Sequence, residues 1–105
     1  MNSKVLNMLG LSRRAGAVII GTDLVTKALP SGKVKLVMYA NDSSANTEKK
    51  ITDKCKFYHT ECVKLTYDGG DIAHAIGKQS TVSVVGVTDE NFSRELNLLI
   101  SKETR

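Results

Sequence analysis

Helix-like and strand-like segments alternate along the whole chain, and this alternation constrains the fold more than any other feature of the sequence. Some segments carry apolar residues at helical spacing, whereas others are short apolar runs bounded by Gly, Pro, Asn or Asp. The predicted helices are residues 3–14, capped by Ser3, then 22–29, 45–58 with Ile51, Cys55 and Tyr58 on its apolar face, 72–76, and a last helix that is capped by Thr88 or Asp89 and frays over residues 101–105. The predicted strands are 17–20, which is buried, 34–40, 61–66 at an edge of the sheet, and 82–87 at its centre. The alternation favours an α/β sheet with helices on both faces, and 105 residues without a visible linker predict one domain.

The segment 20–42 holds the most informative local pattern. Gly21 frees the backbone before a helix, and Thr22 or Asp23 is expected to cap its first N–H groups. Lys27 follows one turn later on the same side, which suits the start of this helix to an anionic group. The apolar face of the helix is predicted to consist of Leu24, Val25, Ala28 and Leu29. An ordinary capped surface helix would show the same pattern.

Positive charge is concentrated in the first half of the chain. The net charge is +4, and residues 1–56 hold ten Lys or Arg against four Asp or Glu. Residues 57–105 hold five against seven. This asymmetry favours one basic face for a polyanion, although a solvated lysine surface would give the same counts.

The remaining composition favours a cytoplasmic protein. No apolar run reaches the ~20 residues that span a bilayer, and the N-terminal segment lacks the pattern of a signal peptide. We therefore expect no membrane partner, and we expect the protein to act as a monomer. Cys55 and Cys62 are expected to be reduced thiols. With His59 they form a loose C-x3-H-x2-C pattern that lacks a nearby fourth ligand, so neither a metal nor another cofactor is expected.

Sequence motifs of the common enzyme classes are not found. The glycines do not form a phosphate-binding loop, and the nucleophile motif G-x-S-x-G does not occur. Asp89 and Glu90 open a helix, where carboxylates cap and balance the dipole rather than act as an acid–base pair. The sequence therefore predicts a protein that is not an enzyme.

Several short stretches resemble one known family. They are Gly-Thr-Asp-Leu-Val-Thr-Lys-Ala at 21–28, the basic turn before the strand at 36–40, Ala-Asn-Asp at 40–42 and Ile-Gly-Lys at 76–78. These stretches resemble the kink-turn RNA-binding ribosomal proteins, of which archaeal L-seven-Ae is the best-known member. Within that superfamily the chain is most similar to the small bacterial YlxQ-type proteins. The likeness runs over nearly the full length, from about residue 9 to residue 87.

The resemblance implies both a fold and a site. The implied fold is a three-layer α/β/α sandwich with a four-stranded mixed sheet. In the family the RNA site is built from the start of the second helix and the loop before the last strand, and two lysines near in sequence would add phosphate contacts. The expected RNA-binding residues are Gly21, Thr22, Asp23, Leu24, Lys27, Lys33, Lys35, Lys78, Gln79, Ser80 and Thr81. The implied function is non-catalytic binding of a structured RNA, a kink-turn or a related ribosomal or non-coding RNA, with the ribosome or a protein as a further partner.

Two departures from the family pattern alter the expected specificity. The kink-turn binders usually carry Asn-Glu where this chain has Asp23 and Leu24, so an amide donor and an acceptor are missing. Losing one good base contact costs ~1–3 kcal/mol of discrimination. The second loop is polar here, whereas archaeal members present apolar residues. We expect a structured-RNA binder of weaker or altered specificity; the alternative is a protein-interaction module of the translation or transcription machinery that keeps the fold without kink-turn reading.

Overall fold

A mixed four-stranded sheet lies at the centre of the computed structural model, which describes residues 3–103. Its strands are β1 (Val18–Ile20), β2 (Leu36–Tyr39), β3 (Glu61–Lys64) and β4 (Val84–Val87). The helices are α1 (Lys4–Arg14), α2 (Thr22–Ala28), α3 (Ala45–Phe57), α4 (Gly69–Ala75) and α5 (Glu90–Glu103), and a short 3-10 turn, Leu29–Ser31, follows α2. The alternating order expected from the sequence is confirmed.

The strands lie in the order β1-β4-β2-β3. β4 pairs antiparallel with both β1 and β2, whereas β2 and β3 are parallel. Val84 lies opposite Tyr39, at the end of β2, and Val87 lies opposite Leu36, at its beginning. The predicted central position of the last strand and edge position of β3 are both confirmed. β1 was expected to be buried, but it is half-buried because it forms the other edge.

Helices cover both faces of the sheet, and each face has its own apolar core. One core, beneath α1, α4 and α5, is built around Val5, Leu9, Ile72, Val85 and Leu96. The other, beneath α2 and α3, is built around Val25, Leu29, Val37, Ile51 and Cys55. Fully burying one such aliphatic side chain is worth about 1.5–3 kcal/mol. The two cores confirm the predicted three-layer α/β/α sandwich.

Side-chain caps fix the starts of most helices. The Leu6 N–H donates to Ser3 Oγ (3.1 Å) and the Phe92 N–H donates to Asp89 Oδ1 (2.9 Å), as expected for these two caps. Asp68 and Asp71 form a reciprocal capping box at α4. Because of that box, α4 begins at Gly69 rather than at residue 72.

The sequence-based expectations for α2 were wrong in two respects. Neither Thr22 nor Asp23 caps the helix, because both lie inside it and the N-cap residue is Gly21, which has no side chain. Leu24 and Val25 were both placed on the apolar face, but 59% of the surface of Leu24 is exposed, whereas Val25 is buried as expected.

The C-terminal helix extends further than expected. Residues 101–105 were predicted to fray, yet α5 continues to Glu103, whose Oε2 accepts a hydrogen bond from Tyr67 Oη at 2.7 Å. Thr104 and Arg105 lie outside the described residues. None of the helices within residues 3–103 is long and apolar enough to cross a membrane.

Candidate nucleic-acid interface

Gly21 sets the position of α2 relative to the sheet. Its N–H donates to the Val84 carbonyl (2.9 Å) and its carbonyl accepts from the Val25 N–H (3.0 Å). Its backbone has φ 104° and ψ 147°, a conformation that L side chains rarely adopt. No atom beyond its chain neighbours lies within 4 Å of where a Cβ would stand. The glycine is therefore required by backbone conformation, and the space beside it is open.

The side chains that follow Gly21 point mostly into solvent. Asp23, Leu24 and Lys27 are exposed and Thr22 is half-buried. Asp23 and Lys27 stand four residues apart, so they share one side of α2. With seven residues, α2 is short, and its contribution to a site comes from these side chains.

The second predicted loop lies at the same end of the sheet as the start of α2. Residues 77–81 are exposed and lead into β4 at the end that carries Val84, which also holds Gly21. Gly77 has φ 76°, and the N–H groups of Gly77 and Lys78 close the end of α4 on the carbonyls of His74 and Ala73. The structure therefore places two of the predicted segments at the same end of β4, and the expected RNA-binding residues that they carry are Gly21, Thr22, Asp23, Leu24, Lys27, Lys78, Gln79, Ser80 and Thr81.

Lys33 and Lys35 do not join this cluster. The Lys35 N–H donates to the Val87 carbonyl (2.7 Å), so these lysines lie at the opposite end of β4 from Val84. Three residues of strand separate the two ends by about 10 Å. The Lys35 ammonium donates to the Gly32 carbonyl at 3.1 Å. Nearness in sequence suggested a shared site, but α2 carries the chain from one end of the sheet to the other before these lysines.

One residue of this surface was missed in the sequence. Lys50 of α3 places its ammonium nitrogen 3.6 Å from Asp23 Oδ1. Both side chains are more than half exposed, so the pair contributes about 0–1 kcal/mol to stability. The signal that would have found it is topological: α2 connects β1 to β2, α3 connects β2 to β3, and both helices pack on one face of the sheet.

The two thiols lie near each other in the core beneath α3. Cys55 is buried and Cys62 is partly buried, and both are free. A hydrogen bond with Cys55, together with burial, raises the pKa of the Cys62 thiol, which favours its protonated form. No group of three or more His, Cys, Asp or Glu suited to a metal ion occurs within residues 3–103.

A separate groove lies on the other face of the molecule. It has a volume of about 510 Å³ and runs between α1 and α4, where its lining includes Leu11, Arg14, Asp71 and His74. The Asp71 carboxylate takes part in the capping box of α4, so its role is to stabilise the start of that helix. The groove shares no residue with the surface around Gly21.

Comparison of the sequence with known proteins gives matches over most of its length. The model of the ribosomal protein L7Ae/L30e/S12e/Gadd45 family matches residues 3–97. The chain is 41% identical over 93 residues to the RNA-binding protein YlxQ of Bacillus subtilis (strain 168), covering 89% of this chain and 91% of that protein. It is 37% identical over 97 residues to the RNA-binding protein YlxQ of Enterococcus faecium, covering 92% and 91%. It is 31% identical over 86 residues to the large ribosomal subunit protein eL30 of Sulfolobus acidocaldarius, covering 82% and 83%.

Solved structures share the architecture. A protein of unknown function from Bacillus halodurans matches with a TM-score of 0.88 and 40% identity, over 95% of this chain and 99% of that chain. The 15.5kD RNA binding protein of Giardia lamblia matches with a TM-score of 0.77 and 16% identity, over 97% and 89%. At that identity the second likeness establishes the fold alone.

Proposed function

The chain belongs to the ribosomal protein L7Ae/L30e/S12e/Gadd45 family and is of the YlxQ type, and from this premise we propose that it binds a structured RNA, a kink-turn or a related fold. The observation that supports the proposal is that the start of α2 and the loop 77–81 lie at one end of the sheet, around the hydrogen bond from the Gly21 N–H to the Val84 carbonyl. Two proteins of similar sequence are named RNA-binding proteins.

The chemistry of this end of the sheet suits a folded RNA with exposed base edges. The open space beside Gly21 admits close approach of the RNA to the backbone. Lys27 and Lys78 are exposed cations for phosphate oxygens, and Thr22 and Asp23 offer short side chains for base edges. Gln79, Ser80 and Thr81 supply further donors and acceptors from the second loop.

Asp23 and Leu24 set the specificity that we propose. Asp23 accepts hydrogen bonds from base amino or imino groups, but it has no donor for a base acceptor. Leu24 is 59% exposed and offers an apolar contact only. We therefore propose weaker or altered discrimination among structured RNAs, in which phosphate contacts supply a large share of the affinity.

The same premise favours a non-catalytic protein of the translation apparatus. Its relatives are named as RNA-binding and ribosomal proteins, and the proposed RNA surface contains exposed lysines and small polar side chains. We propose that it acts in the cytoplasm as a monomer and that its RNA is ribosomal or associated with the ribosome.

Lys33 and Lys35 have a separate place in this proposal. They lie at the far end of β4, so they would contact a different part of the RNA from the one held by Lys27. Substitution of Lys33 and Lys35 is therefore expected to weaken binding to an RNA whose stem is long enough to reach that end. Binding to an RNA with a short stem is expected to stay unchanged.

The test is a titration of the protein with a labelled kink-turn RNA and a plain duplex of equal length, at two salt concentrations. We expect tighter binding to the kink-turn, weakened about tenfold by Lys27→Ala and reduced steeply by salt. Lys102→Ala, on α5 across the sheet, is the matched control and is expected to leave binding unchanged. Equal binding to both RNAs would contradict kink-turn preference, and binding to neither at micromolar protein would contradict the RNA function.

A second candidate function rests on Leu24. An exposed leucine beside an open backbone suits contact with a protein partner. A protein-interaction module of the translation or transcription machinery that no longer recognises kink-turns would retain such a leucine. Affinity for such a partner would fall with Leu24→Glu and change little with salt or with Lys27→Ala. The RNA function predicts the reverse order of effects.

A further inference from the structure

We propose that α3 forms a second wall of the RNA surface, in which Lys50 and Lys54 contact phosphates beside Lys27 and Lys50 offsets the negative charge of Asp23. This inference rests on the proposed RNA function and identifies further residues of the same site. It accounts for a carboxylate on a surface meant for a polyanion.

The sheet topology places α2 and α3 side by side in the same direction. β1 and β2 are both antiparallel to β4, and β2 is parallel to β3, so these three strands point the same way. α2 connects β1 to β2 and α3 connects β2 to β3, and both pack on one face of the sheet. Packed helices have axes about 8–10 Å apart, so side chains on the two facing flanks lie along one seam.

The contact between Asp23 and Lys50 fixes the register of this seam. The ammonium of Lys50 lies 3.6 Å from Asp23 Oδ1, which sets Lys50 level with the start of α2. Lys27 is one turn beyond Asp23 and Lys54 is one turn beyond Lys50. Because the helices run in the same direction, the seam carries Asp23 with Lys50 and then Lys27 with Lys54.

The charges along the seam favour a polyanion. Lys50 neutralises Asp23, and neither Lys27 nor Lys54 has an acidic partner among the side chains described for residues 3–103. All three lysines are exposed. Elsewhere on α3, Lys49 pairs with Asp53 at 3.1 Å and Glu48 pairs with Lys64 at 3.8 Å, whereas Lys56 has no acidic partner among the side chains described for residues 3–103. The seam therefore carries three lysines against one aspartate, a net positive charge.

A neutralised Asp23 explains how an aspartate is tolerated at this position. A lone carboxylate would repel the RNA backbone, whereas one held at Oδ1 by an ammonium leaves Oδ2 free to accept from a base donor. Lys50 is in this respect a positioning residue. Its removal costs the phosphate contact and also exposes the charge of Asp23.

The experiment measures affinity for the same kink-turn RNA over a range of salt concentrations, for the single variants Lys50→Ala, Lys54→Ala and Lys56→Ala. Successive helix residues are rotated by about 100°, so Lys56 points away from the seam and serves as the matched control. We expect about tenfold weaker binding for Lys50→Ala and about threefold weaker binding for Lys54→Ala. Each substitution is also expected to reduce the slope of log affinity against log salt concentration by about one. Lys56→Ala is expected to bind as the wild type does.

A double-mutant cycle tests the role of Lys50 toward Asp23. In the background Asp23→Asn, where no charge needs offsetting, Lys50→Ala is expected to weaken binding by about threefold rather than tenfold. Lys50→Arg is expected to restore most of the affinity, and thermal unfolding midpoints are expected to stay unchanged because these side chains are exposed.

The outcomes separate this inference from the function on which it rests. If Lys27→Ala weakens binding while Lys50→Ala and Lys54→Ala match Lys56→Ala, the wall on α3 is contradicted and the RNA function stands. If Lys50→Ala has equal effects in both backgrounds, the offset of Asp23 is contradicted. If the wild type binds neither RNA, both the function and the inference fail.

Discussion

The two helices on one face of the sheet, α2 and α3, follow local folding rules to very different degrees. α3 has thirteen residues, a Ser44 cap on the Thr47 N–H at 3.1 Å and a buried side with Ile51 and Cys55. α2 has seven residues, no side-chain cap, a positive-φ glycine at its start and an exposed leucine in its first turn. Natural sequences tend to break local rules where function demands it. The difference supports our proposal that α2 carries the centre of the RNA surface, with α3 as its second wall.

The largest expected contrast is between one apolar residue from each helix. Ile51→Ala removes a fully buried side chain and leaves a cavity, so we expect a loss of about 2–5 kcal/mol in the free energy of unfolding. Leu24→Ala changes an exposed side chain and is expected to cost less than about 0.5 kcal/mol. Urea denaturation of both variants measures the contrast, and equal losses would mean that Leu24 is part of the core.

The backbone at the start of α2 gives the next effect. Gly21→Ala forces a Cβ into a conformation with φ 104°, so we expect a loss of about 1–3 kcal/mol even though nothing nearby obstructs the new atom. We also expect weaker RNA binding, since the added methyl group occupies the open space. An unchanged unfolding midpoint would show that the strand-to-helix turn relaxes without strain.

A smaller difference in stability is expected between substitutions at the starts of α3 and α2. Ser44→Ala removes a cap and is expected to cost about 1 kcal/mol, with the loss seen in thermal unfolding. Thr22→Ala removes no cap and is expected to change stability by less than about 0.5 kcal/mol. A comparable loss for Thr22→Ala would mean that its hydroxyl stabilises the start of α2 after all.

The last effect appears only at high pH and concerns how α3 is held to the sheet. Tyr39 Oη donates to Glu48 Oε2 at 3.0 Å, and burial together with this carboxylate raises the pKa of Tyr39 from 10.0 to about 12. The unfolded chain therefore ionises first, so the stability from this group is complete below pH 10 and is lost between pH 10 and about pH 12.

Comparison with Tyr39→Phe isolates this group from the others that titrate at high pH. The difference in unfolding free energy between the two proteins is expected to be constant below pH 10 and to shift against the wild type above it. A difference that stays constant through pH 12 would contradict the raised pKa of Tyr39.

Sequence reasoning succeeded where local chemistry decides the structure. The caps by Ser3 and Asp89, the buried side of α3 and the central last strand all follow from spacing and residue type. The resemblance supplied the four-stranded mixed sheet, which alternation alone does not specify.

Prediction from the sequence failed where the structure depends on which elements meet in space. The separation of Lys35 from Gly21 follows from opposite ends of β4, and the meeting of Asp23 with Lys50 follows from parallel neighbouring helices. Neither relation is encoded by spacing along the chain. The exposure of Leu24 was missed because helical periodicity gives the angle between residues but not which angle faces the core.

The most direct test of the proposed interface is to follow the backbone amide signals of ¹⁵N-labelled protein by nuclear magnetic resonance while a kink-turn RNA is added. We predict that the shifts concentrate in residues 21–27 and 77–81, with a second group at Lys50 and Lys54, and that α5 is unaffected. Shifts confined to the groove between α1 and α4, or no shifts at saturating RNA, would contradict the interface.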